Sequence, residues 1–273
     1  MFHYINKGFH ATLRQPFPVL VLFLYRFCWG IVLYKLCQSI VLPLLHRYPG
    51  DSGFESQTRL FLAEGQFVLL KTDISHSVIW LLAVLLVLRM VCTPLLNAGL
   101  FYSLSNTHFN AGYRFVRGIA EHWRSYTLLY AAKTALTLLP LWWISPKLQA
   151  SFATAASYTD LAYGMLPQLG FLAVYSFLIH LLFVYLQFGR VQADSILRTL
   201  GTALRSLPLM LGISVLILLA TALCSLAVLS STIMWAGFWM LVVYQAYRFF
   251  QTLFSVWAIA AQHELYMTKA GWK

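Results

Sequence analysis

Six stretches of the chain are apolar at nearly every position, 17–45, 78–104, 126–144, 161–188, 207–230 and 234–261, and each is long enough to cross a hydrocarbon layer as a helix. A layer of about 30 Å takes roughly 20 helical residues. The runs are continuously apolar and do not alternate, which predicts helices and excludes the strands of a membrane barrel. Three shorter segments have a different rhythm. In the first, Phe2, Ile5, Phe9 and Leu13 recur at helical spacing opposite His3, Lys7, His10 and Arg14. In the second, Phe115, Val116, Ile119 and Trp123 oppose Arg114, Arg117, Glu121 and Arg124. In the third, Ile196, Leu200, Ala203, Leu204 and Leu207 oppose Asp194, Arg198, Thr202 and Arg205. Such patterns predict helices lying in the headgroup plane with the apolar face down.

The three segments each run through an arginine into an apolar span: "GFHATLRQPFPVLVLF", "GIAEHWRSYTLLYAAK" and "TLGTALRSLPLMLGIS". The chain therefore reads as one all-α transmembrane domain over 1–273. It holds three pseudo-repeats of interfacial helix, outward span and inward span, at about 1–104, 105–188 and 189–273. Repeats of this kind commonly enclose a site between the copies. Any amphipathic linker ending in a basic anchor would give a similar pattern without true repetition.

Composition strengthens the membrane reading. The chain of 273 residues is 60% hydrophobic and only 10% charged, where a soluble domain carries about 25%. The basic N-terminal stretch precedes an apolar run without a clear cleavage site, which predicts a retained first span and no signal peptide. Cys28, Cys37, Cys92 and Cys224 all fall inside apolar runs, so they read as small core residues and give neither a disulfide framework nor a zinc spacing. Between the spans, ten basic residues lie on one side and four on the other. The positive-inside rule then places both termini in the cytoplasm of a cell bounded by this inner membrane. Arg14, Arg117, Arg124, Arg198 and Arg205 are expected to meet anionic headgroups on that side. Trp123, Trp142, Trp143 and Tyr126 sit at span ends as expected interfacial anchors, and the uncharged fifth span pairs Ala220 with Cys224 and Thr221 with Ser225 for close packing.

The layout, carried by "GIAEHWRSYTLL" and "ILRTLGTALRSLPLML" and more weakly by "GFHATLRQPFPVL", resembles bacterial six-span families around the membrane domain of glycerophosphodiester phosphodiesterases. The resemblance implies a fold more than an activity, since the soluble phosphodiesterase barrel that sometimes accompanies that domain has no counterpart in this chain.

Charges inside the spans are the chain's main functional clue. Arg26 and Lys35 lie in the first span, Arg89 in the second, Lys133 in the third, His180 in the fourth and Arg248 in the sixth, while no span interior holds a carboxylate. A basic side chain at the centre of a membrane helix costs about 2.5–3.5 kcal/mol on insertion scales. Lys35 and Lys133 can extend their stems toward an interface, Arg26 is shallow enough to reach phosphates, and a lone His180 reads most simply as a neutral, hydrogen-bonded core residue. Arg89 and Arg248 are deeper. Three sources of compensation remain open for them: polar groups of the bundle, including carbonyls freed near Pro94 and the side chains Gln245 and Gln251; a water-lined crevice or a partner's carboxylate; or an anionic ligand such as a lipid phosphate.

Catalytic patterns are missing. "QHELYM" lacks the second histidine of a zinc helix, and there is no nucleophile elbow, phosphate-binding glycine loop or buried acid pair. The expectation is a non-enzymatic membrane protein with no cofactor, metal or nucleic-acid partner. Arg26, Arg89, Lys133, His180 and Arg248 form its candidate anion site, and anionic lipid and other membrane proteins are its partners. The alternative is a permease component that passes an anionic or amphiphilic solute, driven by a separate ATPase.

Overall fold

The computed structural model describes residues 1–45, 73–154, 158–235 and 237–271, and the outer loop expected over 48–77 lies largely outside them. Seven helices account for nearly all the described residues: α1 (Phe2–Leu13), α2 (Pro16–Leu45), α3 (Asp73–Ser105), α4 (Ala111–Thr154), α5 (Tyr158–Val191), α6 (Ile196–Met234) and α7 (Phe238–Lys269). Five of them, α2 to α6, are long and apolar enough to cross a membrane. The protein is therefore helical, with several apolar spans. The expected sixth span forms as a helix, α7, but falls outside that group. Gln245, Arg248, Gln251, Gln262 and His263 dilute its apolar character.

Only one of the three expected interfacial helices stands apart from its span. Helix α1 ends at Leu13, and Pro16 opens α2, where a missing N–H and a fixed φ suit a first helical position and interrupt what precedes it. The second and third amphipathic segments continue without a break into α4 (44 residues) and α6 (39 residues). No proline separates Arg124 from the following span, and Pro208 is accommodated inside α6.

The chain packs as two compact units, Met1–Leu20 with Pro94–Lys273, and Val21–Thr93. In the larger unit the core is concentrated where the helix ends meet α1 and the segment after α5. Leu100, Phe101, Tyr126, Tyr185, Phe188, Ile213, Val256, Leu265 and Tyr266 are all sealed there. Phe101, Phe188, Tyr185 and Tyr266 form a chain of ring contacts with centroids 4.8–6.1 Å apart. Away from this base the helix walls are bare. Only 11–22% of the residues in the most apolar stretch of each of the five helices are buried within the protein. Leu139, Trp142, Leu166, Leu223 and Leu226 all stand exposed on such walls, as expected of surfaces that lipid covers.

The amphipathic segments divide their apolar faces: Ile5, Phe115 and Ala203 are buried against the protein, while other apolar residues and most of the charged ones stay exposed. Ile5, Gly8 and Thr12 are the buried residues of α1, and Phe2 and Leu13 are exposed. Thr199, Ala203, Ser206 and Met210 are buried in α6, and Ile196 and Leu204 are exposed. In α4, Arg114 is buried with Phe115, and Val116 is exposed. Small residues let the helix backbones approach closely, and large apolar residues are left for the surroundings. A Cβ added at Gly8 would lie 2.6 Å from the Ala261 Cα, and one at Gly118 would overlap the Tyr102 Cβ. These are contacts that no other residue could make without moving a helix.

Candidate functional site

The base is held by polar side chains that satisfy one another. Gln15 donates from Nε2 to the Ser103 carbonyl at 2.9 Å, and the Ser103 hydroxyl returns a bond of 2.8 Å to Gln15 Oε1. Gln262 joins three helices. Its Nε2 reaches the Met210 carbonyl at 2.8 Å and Ser214 Oγ at 2.7 Å, and its Oε1 accepts from the Tyr185 hydroxyl at 3.1 Å. Tyr126, expected as an interfacial anchor, is instead fully buried and donates to the Gln187 carbonyl at 2.9 Å. Trp142 and Trp143 are exposed, as anchors should be. His263 meets Ser105 at 3.1 Å, and Trp257 Nε1 donates to the Ile5 carbonyl at 2.8 Å, fastening α1 to α7. The Tyr266 hydroxyl donates to Asp194 Oδ2 at 2.6 Å, and Arg198 contacts both Asp194 at 3.4 Å and the Ala270 carbonyl at 3.2 Å. Burial, followed by the bond to Asp194, holds the Tyr266 phenol above its ordinary value.

The five candidate bases of the spans fall into three places. The smaller unit holds Arg26 on α2 and Arg89 on α3. The Tyr25 hydroxyl meets Thr93 Oγ1 at 2.9 Å, and Thr93 donates to the Arg89 carbonyl at 2.7 Å, so side chains link the two helices beside the pair. In the larger unit, Lys133 on α4 and His180 on α5 meet at 2.8 Å, Nζ to Nδ1. A lysine nitrogen has only protons to give, so Nδ1 of a neutral imidazole is the acceptor. Tyr175 donates to the Leu136 carbonyl at 3.0 Å across the same two helices. Arg248 turns along its own helix, with its guanidinium 5.4 Å from the Tyr244 ring centroid and 3.4 Å from the Tyr244 hydroxyl. Among the described residues no carboxylate contacts Arg89, Lys133 or Arg248. His180 is hydrogen-bonded, as expected, but it stands on an exposed helix face and not in the core.

The expected headgroup arginines also differ from one another. Arg14, Arg124 and Arg205 are exposed, and Arg124 lies over the Trp123 ring at 5.2 Å. Arg117 is tied to Glu121 at 2.6 Å and lies 5.6 Å from the Phe109 centroid, and Arg198 belongs to the Asp194 cluster. Sequence reasoning passed over the basic residue with the least ordinary setting. Arg114 is only 5% exposed, and its buried Nε has no hydrogen-bond partner among the described residues. Its place on the charged side of the segment concealed this.

Among the described residues no group of histidine, cysteine and carboxylate side chains is arranged to hold a metal, and the four cysteines are free. An open groove of about 520 Å³ lies between α1 and α7, walled by Phe2, Ile5, Phe9 and Trp257 with His3 and Asn6. Comparison with known proteins finds no matching family model, no matching curated protein and no matching solved structure.

Proposed function

We propose that the protein is a non-enzymatic inner-membrane subunit or scaffold, with both termini cytoplasmic, that engages anionic lipid through basic residues set in its spans. The observation that carries this reading is the meeting of Lys133 and His180 at 2.8 Å on apolar helices. A cation has gathered a proton acceptor there and no negative charge. A phosphate accepts paired hydrogen bonds from guanidinium and ammonium groups most strongly where water is scarce, which makes a lipid headgroup the partner this reading assigns to them. The bare helix walls supply the setting, since acyl chains lie against the same surfaces that carry these bases.

Extraction directly from the membrane into polymer-bounded discs tests the reading. The lipid retained by the natural protein should be enriched in anionic species over the bulk membrane. The Arg89→Gln, Lys133→Gln and Arg248→Gln triple variant should lose most of that enrichment. Equal lipid composition in the two preparations rules the reading out. Solute uptake that depends on the protein together with an ATPase would establish the permease role in its place.

A further inference from the structure

We propose that the start of α4 is a binding site for a phosphate-type oxyanion, built from the buried Arg114 guanidinium and the free amides of residues 111–113. It is separate from the bases in the spans and does not depend on the role proposed for them.

Helix α4 is the longest of those described, and it begins at Ala111 with no acidic residue in its first turn. The Arg114 amide already bonds to the Asn110 carbonyl at 3.0 Å, so the amides ahead of it have no carbonyl within the helix to receive them. Aligned peptide dipoles leave about half a positive charge at such an end, which makes it a ready site for an anion.

The second observation is Arg114 itself. Its residue is 95% buried, since 5% remains exposed, and its Nε has no acceptor. No ion pair or side-chain hydrogen bond reaches it among the described residues. A buried orphan donor on a charged group is rare in folded proteins and calls for an unseen partner. Long side chains on a helix lean back toward its start, because the alternative rotamer collides with the preceding turn. That disposition would bring the guanidinium of the fourth residue of α4 over the first turn, where the amides are. The approach is polar and open, because Thr107, His108 and Asn110 in the preceding connection are exposed. Arg117, one turn on, is occupied by Glu121, which leaves Arg114 as the cation that can close on a ligand. An oxyanion with three or four oxygens can accept from the guanidinium fork and the backbone amides together. A lipid phosphodiester and free phosphate share this chemistry.

The site can be blocked without disturbing the packing. A Cβ at Gly112 would meet only Phe17 Cζ at 3.9 Å, which is ordinary contact. Gly112→Asp thus places a carboxylate where the anion would lie, and an acid in a first turn favours the helix. Detergent-purified protein is heated with inorganic phosphate, with chloride at matched ionic strength, with short-chain phosphatidylglycerol, and with short-chain diacylglycerol as the phosphate-free control. Phosphatidylglycerol, alone or together with phosphate, should raise the melting temperature where chloride and diacylglycerol do not. Stabilisation by both ligands assigns the site to the phosphate group whatever carries it, and stabilisation by the lipid alone assigns it to a headgroup. Arg114→Gln and Gly112→Asp should each weaken the apparent affinity at least tenfold, with Gly112→Asp melting no lower than the natural protein when no ligand is added. If Arg114→Gln does not fold, Gly112→Asp decides by itself. The proposal is overturned if the natural protein responds to neither ligand, or if Gly112→Asp binds as the natural protein does.

Discussion

Replacing Gln262 with leucine removes the side chain through which α5, α6 and α7 share hydrogen bonds at the base. Gln262 is 2% exposed, and the Tyr185 and Ser214 hydroxyls that it bridges are both buried. Two interhelical side-chain bonds are lost, together with the bond to the Met210 carbonyl. Bonds of this kind average about 0.6 kcal/mol inside membranes, which sets a lower figure of about 1 kcal/mol for the pair. Leaving two buried hydroxyl groups unsatisfied would cost about 1–3 kcal/mol each. Tyr185 retains Ser206 nearby as a hydrogen-bonding neighbour, so only Ser214 bears the larger cost. The expected destabilisation is therefore about 2–3 kcal/mol. Reversible unfolding in mixed micelles, followed by tryptophan fluorescence, measures it. Ser214→Ala in the same background should recover part of the loss, because removing both members of that pair leaves no hydroxyl orphaned. The double variant should then be more stable than the two single effects added together by about 0.5–1.5 kcal/mol. A loss below about 0.5 kcal/mol, or strict additivity, would refute the hub, since orphaned groups of this kind cost more than that when sealed.

Gly8→Ala should release α1 from α7, because its methyl would stand 2.6 Å from the Ala261 backbone. Hydrogen exchange over residues 2–13 should accelerate at least tenfold. Gly201→Ala, with open space around it, should leave exchange unchanged and raise stability by about 0.5–1 kcal/mol. Tyr266 gives a pH dependence of known sign. Its phenol is held above the ordinary 10.0 in the folded protein, so the unfolded chain loses this proton first as the pH rises. The folded state then binds more protons, and stability falls with increasing pH. The fall should begin near pH 10, be absent between pH 7 and 9, and become shallower in Tyr266→Phe, as unfolding midpoints measured across that range will show.

Apolar runs long enough for a membrane were legible because length and composition alone decide them, and five of the expected spans are helices of that kind. The packing faces were legible only in part. A helical wheel sorts residues by hydrophobicity, but in a membrane the strongly apolar side faces lipid, and the contact face belongs to small and hydroxyl residues. Gly8 with Thr12, and Thr199 with Ala203 and Ser206, therefore mark the interfaces, while Phe2 and Leu204 mark the exterior. The expected packing of Ala220 with Cys224 and Thr221 with Ser225 holds in part: the Ser225 hydroxyl and the Thr221 carbonyl meet Tyr247 of α7, and Cys224 is exposed. Tyr126 misled because a tyrosine at a span end suits a headgroup anchor and a buried donor equally well, and only its reach to Gln187 distinguishes the two. Of the candidate site, the identity of the bases was evident and their pairing was not. Lys133 and His180 lie 47 residues apart, and nothing in either local pattern announces the other. Arg114 was hidden by its neighbours, since three charged residues within ten positions made the whole stretch look solvated.

The account stands on acyl chains, not water, covering the bare helix walls while the polar base stays sealed. Spin labels placed singly at positions 139, 166 and 226, and at 188 and 260 in the base, test this in reconstituted protein with the four cysteines replaced by alanine. At Leu139, Leu166 and Leu226, collisions with dissolved oxygen should far exceed collisions with a water-soluble nickel chelate, and at Phe188 and Ala260 both should be rare. Nickel collisions equal to or above those of oxygen at the three leucines would show the walls facing water and contradict the account.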